Sequence, residues 1–259
     1  MRFRSASSKV ERSRELIENI TKTVKDNPPY TYWLGRNLKT GESFTFSKCD
    51  EDVLDKIVIH CGDVFHNLRS ALDHAYFEAV SPEIEDESKH NTIQFPFAKD
   101  STSLESAIKT RHAHKVSHDF YKAIESLKPF NGTSGNTLLY LIHQINIIDK
   151  HRSPTPVGDF TKISSRQIRR QVPDFPQGLN IGVSQTNKDV VWYNDQYNFH
   201  KKGFEKIPSD IAQTQKRLNI KVDLIFNISE PQYRAKVIHT LNDMTKEVER
   251  ALNVMEEAL

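Results

Sequence analysis

Residues 51–80 read EDVLDKIVIHCGDVFHNLRSALDHAYFEAV, and this stretch decides the fold class. Val53/Leu54, Ile57/Val58, Cys61, Val64/Phe65, Leu68, Ala71/Leu72, Ala75/Tyr76 and Ala79 recur every three or four residues, the period of one helix face. Gly62 inside the stripe costs about 1 kcal/mol relative to alanine and is expected where another helix comes close. Ser81-Pro82 closes the helix, because the residue before proline is pushed out of the helical region. Ile59, Asp63, His66, Ser70, Asp73 and Phe77 fall opposite the stripe, apolar at the two ends and polar between. Solvent contact alone does not ask for that pattern. It reads either as a partner surface or as ordinary surface with two stray apolar residues.

Outward from this helix, Val10, Leu16, Ile17, Ile20 and Val24 predict a first helix over residues 7–26, ended by Pro28-Pro29. The aromatic alternation around Lys39-Thr-Gly-Glu42 predicts a β-hairpin over 30–46. Helical spacing resumes over 103–127 and 136–151, and Ser153-Pro-Thr-Pro156 breaks it. Short β-type runs follow at 179–183, 190–193 and 220–228. A last helix is expected over 231–259 with Pro231 in its first turn. The reading is α+β in one domain, 1–259: a helical core of 1–28, 51–153 and 230–259, the hairpin 30–46, and a strand-rich insertion 154–229. The insertion is expected to form a small antiparallel sheet, completed by the hairpin.

Hydrophobic residues make up 37% of the chain and charged ones 27%, near globular averages. The net charge of +2 is weak for a dedicated duplex binder. Eleven Lys/Arg against seven Asp/Glu in 154–229, with Arg166, Arg169 and Arg170 together, read as a solvated face or a contact surface. Cys49 and Cys61 form no Cys-x-x-Cys motif, and two reduced thiols in a cytoplasmic protein are expected. The apolar stretch 138–148 is too short to span a bilayer, so no membrane role is expected. Signatures of phosphate loops, dinucleotide folds, serine hydrolases and zinc proteases are absent, and 9 glycines leave little material for a phosphate cradle.

The polar inventory centres on residues 66–74. Arg69 and Asp73, four apart, can pair along the helix. Asn67 and His74 are seven apart and nearly in line, whereas Arg69 and His74 diverge by more than a right angle. In the later helix, Asp149 continues the inner stripe of Leu138, Ile142 and Ile145, and a carboxylate there needs a cation such as Arg69 or Arg152. Lys150, His151 and Arg152 suit a helix C-terminus, or a phosphate-binding cluster beside Arg69 and His74. One polar cluster of Arg69, Asp73, His74 and Asp149 between two antiparallel helices is therefore expected. Histidines 60, 66, 74, 143 and 151 offer no paired metal-ligand spacing, so neither a metal nor another cofactor is expected.

Arg69-x-x-x-x-His74, late in a long helix of a bundle, resembles the Arg-x(4–6)-His motif of the HEPN superfamily. Asn67-Leu-Arg-Ser-Ala-Leu-Asp-His74 with the later Asp149-Lys-His-Arg152 also resembles a set of bacterial proteins that pair these phrases. The same spacing recurs at Arg111/His118 and Arg234/His239, and Ser70 stands where the motif often carries Asn. The resemblance implies a HEPN-like helical bundle and a metal-independent endoribonuclease of toxin–antitoxin or phage-defence systems. It also implies an RNA substrate and a neutralising or defence partner protein. Arg69 and His74 would be catalytic, with His66, Asn67, Asp73, Asp149, Lys150, His151 and Arg152 binding or supporting.

The chemistry is coherent: imidazole serves as acid or base near neutral pH, and a guanidinium stabilises charge on the phosphoryl oxygens. One histidine per chain cannot readily do both proton transfers, so a homodimer through the 51–80 helix is expected. Two alternatives stay open, a non-catalytic HEPN-like binding or scaffolding module and a metal-dependent bundle hydrolase.

Overall fold

The stripe of residues 51–80 forms α2 (Glu51–Val80), and Asp50 opens it, its Oδ1 accepting from Val53 N at 3.1 Å. The computed structural model describes residues 2–37, 39–40, 43–149, 156–160, 190–192, 204–206, 222–226 and 236–259. The chain divides into two units. The first takes Met1–Lys22, Ile57–Pro154 and Val237–Leu259; the second takes Thr23–Lys56 and Thr155–Lys236. The fold class is α+β.

In the first unit, α2 is the central rod: Val64, Phe65, Leu68, Ala71, Leu72, Ala75 and Tyr76 are fully buried. Phe95 and Phe120 lie 6.0 and 5.9 Å from the Tyr76 ring, and the Tyr76 hydroxyl donates to the Arg111 carbonyl at 2.9 Å. That bond matters because a buried phenol without an acceptor costs free energy. α1 (Arg4–Asp26) buries Ala6, Val10, Ser13, Leu16, Ile17 and Ile20. The expected helix over 103–127 is instead three: α3 (Ser101–Thr110), α4 (Ala113–Val116) and α5 (His118–Ser126). His112 causes the first break by adopting φ 70°, and Ser117 the second, capping α5 by accepting from Phe120 N. α6 (Thr137–Asp149) follows, and α7 (Val237–Glu257) packs against α5 and α6.

In the second unit, β1 (Tyr30–Asn37) and β2 (Ser43–Cys49) pair antiparallel, Tyr30 opposite Cys49, as the hairpin reading expects. β3 (Pro156–Asp159), β4 (Val190–Trp192), β5 (Phe204–Lys206) and β6 (Asp223–Phe226) complete the strands. The four-stranded sheet runs β4-β2-β1-β5, so the hairpin is its centre. β4 lies parallel to β2, which corrects the purely antiparallel expectation. β3 and β6 form a separate antiparallel pair. Lys236 still belongs to this β region, bridging Ile225, so the last helix begins at Val237 and not at Pro231. The run 179–183 and Pro231 lie outside the described residues. Neither Cys49 nor Cys61 is in a disulfide. No helix among the described residues is long and apolar enough to cross a membrane.

Candidate functional site

α2 presents its polar residues in two directions. Arg69 faces inward and is 8% exposed. Its guanidinium bonds Asp73 Oδ1 at 2.7 Å and lies 4.4 Å from the centre of the Phe97 ring. Phe97 in turn stacks flat on His143 of α6, with centroids 4.5 Å apart and planes at 4°. Asp73 Oδ1 also accepts from Phe95 N at 2.9 Å. The loop holding Phe95 and Phe97 is thereby clamped to α2 by one carboxylate and one cation.

Burial dominates the electrostatics. It lowers the Arg69 pKa from the ordinary arginine value, a shift that Asp73 opposes and Arg111 reinforces. It raises the Asp73 carboxyl above the usual range, against the pull of Arg69, Phe95 N and His74. Both partners are pushed toward their neutral forms, so desolvation exceeds their mutual attraction.

His74 is exposed and bonds outward, its Nδ1 lying 2.8 Å from Ser5 Oγ on α1. Asn67 is buried, and its Nδ2 donates to the Asp63 carbonyl one turn back at 2.8 Å. His66 is exposed. Arg69 and Asp73 thus meet as expected, while His74 is held by α1. The side chain of Asp149, and Lys150, His151 and Arg152 altogether, lie outside the described residues. Among the described residues no three His, Cys, Asp or Glu side chains come together as a metal site.

The second face of α2 is open. Ile59 is 62% exposed and Phe77 41%, with Asp63 and His66 exposed and Ser70 half-buried between them. Phe77 makes an edge-to-face contact with His90 at 5.7 Å. Sequence reading missed Ser5, Phe95 and Phe97, and weighed His143 only as a metal ligand. The Phe95-Pro-Phe97 phrase was the available signal for the two aromatic residues.

The chain matches no protein-family model, no curated protein and no solved structure.

Proposed function

We propose that this chain is a HEPN-like helical module that works by binding, and that its first contact is a second copy of itself through α2. The observation that carries this reading is the state of Arg69. A guanidinium already paired with Asp73 and covered by Phe97 supports the rod, and a phosphate would have to displace both to use it. The exposed face, by contrast, is available. Ile59, Asp63, His66, Ser70 and Phe77 lie along it at spacings of four, three, four and seven residues, close to the seam of a two-stranded coiled coil.

The seam is also self-complementary. A two-fold axis near Leu68 in an antiparallel pair sets Ile59 opposite the partner's Phe77 and His66 opposite the partner's Ser70. Asp63 then comes opposite the partner's Asp73, whose carboxylate is already turned to Arg69 and Phe95 N. Apolar meets apolar at each end, as an isologous interface requires. Burying Ile59 and Phe77 contributes roughly 1.5–3 kcal/mol per side chain. Sedimentation equilibrium of the wild-type chain is therefore expected to give a dimer. Ile59→Asp/Phe77→Asp should raise its dissociation constant at least about 100-fold with unchanged circular dichroism. A wild-type monomer at a concentration of about 100 µM, or a double variant as tightly dimeric as wild type, overturns the proposal.

A second reading, the metal-independent endoribonuclease, draws on the exposure of His74 and its Ser5-oriented ring. It expects cleavage of labelled RNA in chelator with 2′,3′-cyclic phosphate ends, and a drop of about 100-fold or more in His74→Ala. Since His74 is exposed, that variant should keep its fold, which separates lost chemistry from lost structure. Absence of cleavage by the folded dimer leaves binding as the function.

A further inference from the structure

The first turn of α1 meets α2 through a hydroxyl and an imidazole. Ser7, Ser8, Ser13 and Thr21 of α1 each turn their hydroxyl back onto the carbonyl four residues earlier, the ordinary habit of these side chains in a helix. Ser5 does otherwise. Its Oγ lies 2.8 Å from Nδ1 of His74, 69 residues further along the chain. Both side chains are exposed, so a reactant in solution reaches them. With the ring proton on Nε2, His74 Nδ1 accepts from Ser5 Oγ. The hydroxyl then has the neighbouring base that turns a weak nucleophile into an active one.

The place of Ser5 in its helix supplies the other half of the chemistry. α1 starts at Arg4, and its first helical bond runs from Ser7 N to Phe3 O, while Arg4 N turns back to Arg2 O. The N–H groups of Ser5 and Ala6 therefore meet no carbonyl within the helix. The nucleophile's own N–H and that of the residue after it are donors from which oxyanion holes of acyl-transfer sites are built. The positive end of the helix dipole falls at the same point, and the first turn carries no acidic residue to cancel it. Arg2 and Arg4 are exposed on either side of it in sequence. A hydroxyl, its base and a pair of oxyanion donors thus come together at one helix start.

We infer that Ser5 and His74 form a nucleophile–base pair that hydrolyses carboxylic esters of small acyl groups. Ser5 Oγ bonds to the ester carbonyl carbon as its proton passes to His74 Nδ1. The carbonyl oxygen takes the negative charge and is held by the N–H groups of Ser5 and Ala6. The bond from that carbon to the alcohol oxygen then breaks, and His74 gives its proton to the leaving oxygen. Water repeats the sequence on the acyl-serine, releasing the acid and restoring Ser5. Exposure of both side chains suits a small acyl group, since a long one needs a buried channel. This activity goes beyond binding through α2. It also differs from RNA cleavage, where the nucleophile is the substrate's own 2′-hydroxyl and Ser5 forms no bond.

The test is release of p-nitrophenolate from p-nitrophenyl acetate by the full chain at neutral pH. Ser5→Ala and His74→Ala should each lower kcat/KM at least about 100-fold, the lower range for losing a general base or the group it activates. Both side chains are exposed, so circular dichroism should stay at wild type. A fluorophosphonate provides a second readout: its phosphorus bonds to Ser5 Oγ as fluoride leaves and His74 takes the proton. Mass spectrometry of the digested chain should find the label on Ser5 in wild type and no label there in His74→Ala. His239→Ala, which removes an exposed imidazole of α7 beside Asp243, should leave the ester rate and the label unchanged. Ester hydrolysis that persists in Ser5→Ala, a label on another residue in place of Ser5, or no release above the buffer blank overturns the inference.

Discussion

Arg69→Met is expected to destabilise the helical unit by about 3 kcal/mol at pH 7, and by less at pH 5. Removing the guanidinium leaves Asp73, mostly buried, with the hydrogen bond it accepts from Phe95 N. An uncompensated carboxylate in that position carries most of the loss. Its relief is a proton. The native carboxyl is already raised by burial, and without Arg69 it is raised further above its unfolded value. A group with a raised native pKa binds more protons folded than unfolded, so stability falls as pH rises through that pKa and recovers on acidification. Arg69→Met/Asp73→Asn should restore most of the loss and abolish its pH dependence, since the amide oxygen still accepts from Phe95 N. Urea unfolding at pH 7 and pH 5 reads all three variants. Equal losses at both pH values, or a double variant worse than Arg69→Met, would show that the pair stabilises through its charge.

Gly135→Ala should cost about 3 kcal/mol, the upper end of what an intruding methyl causes. A Cβ there would stand 2.1 Å from the Phe130 carbonyl oxygen and 2.8 Å from its ring carbon. The obstacle is backbone, and that backbone is anchored. Phe130 bridges Ala98, Lys128 O accepts from both Phe130 N and Asn136 N, and Asn136 donates to Glu247 on α7 at 2.6 Å. Moving the turn therefore disturbs the seating of α7. Gly132→Ala is the comparison: nothing lies within 4 Å of its Cβ, but φ is +127°, so its smaller loss of about 1 kcal/mol would be backbone strain alone. Thermal unfolding should rank the two in that order, and Gly135→Ala within 1 kcal/mol of wild type would refute the steric account.

What could be read from the sequence follows from how far each interaction reaches along the chain. The α2 stripe was legible because burial repeats every turn, and the Arg69–Asp73 pair because it spans four residues. The covering of Arg69 was not, since Phe97 and His143 arrive from a loop and from α6. The break at His112 was also hidden. No glycine or proline marks it, and the left-handed turn is held by Thr92 and Tyr76 from elsewhere in the chain. The hairpin was legible from local alternation, whereas its parallel partner β4 lies about 140 residues downstream, beyond any local pattern.

The helical unit is assembled from three pieces of chain, and its last piece has a schedule. α7 supplies Met244, Val248, Ala251 and Met255 to the core, Glu249 to Arg14, and Glu247 to Asn136. Between Pro154 and Val237 the ribosome must first make roughly 80 residues, which takes on the order of 4–16 s at cellular elongation speeds. For that interval α5 and α6 exist without the helix that covers them. Newborn chains should therefore expose apolar surface and recruit holdases until α7 emerges, and a messenger truncated before residue 237 should yield aggregates.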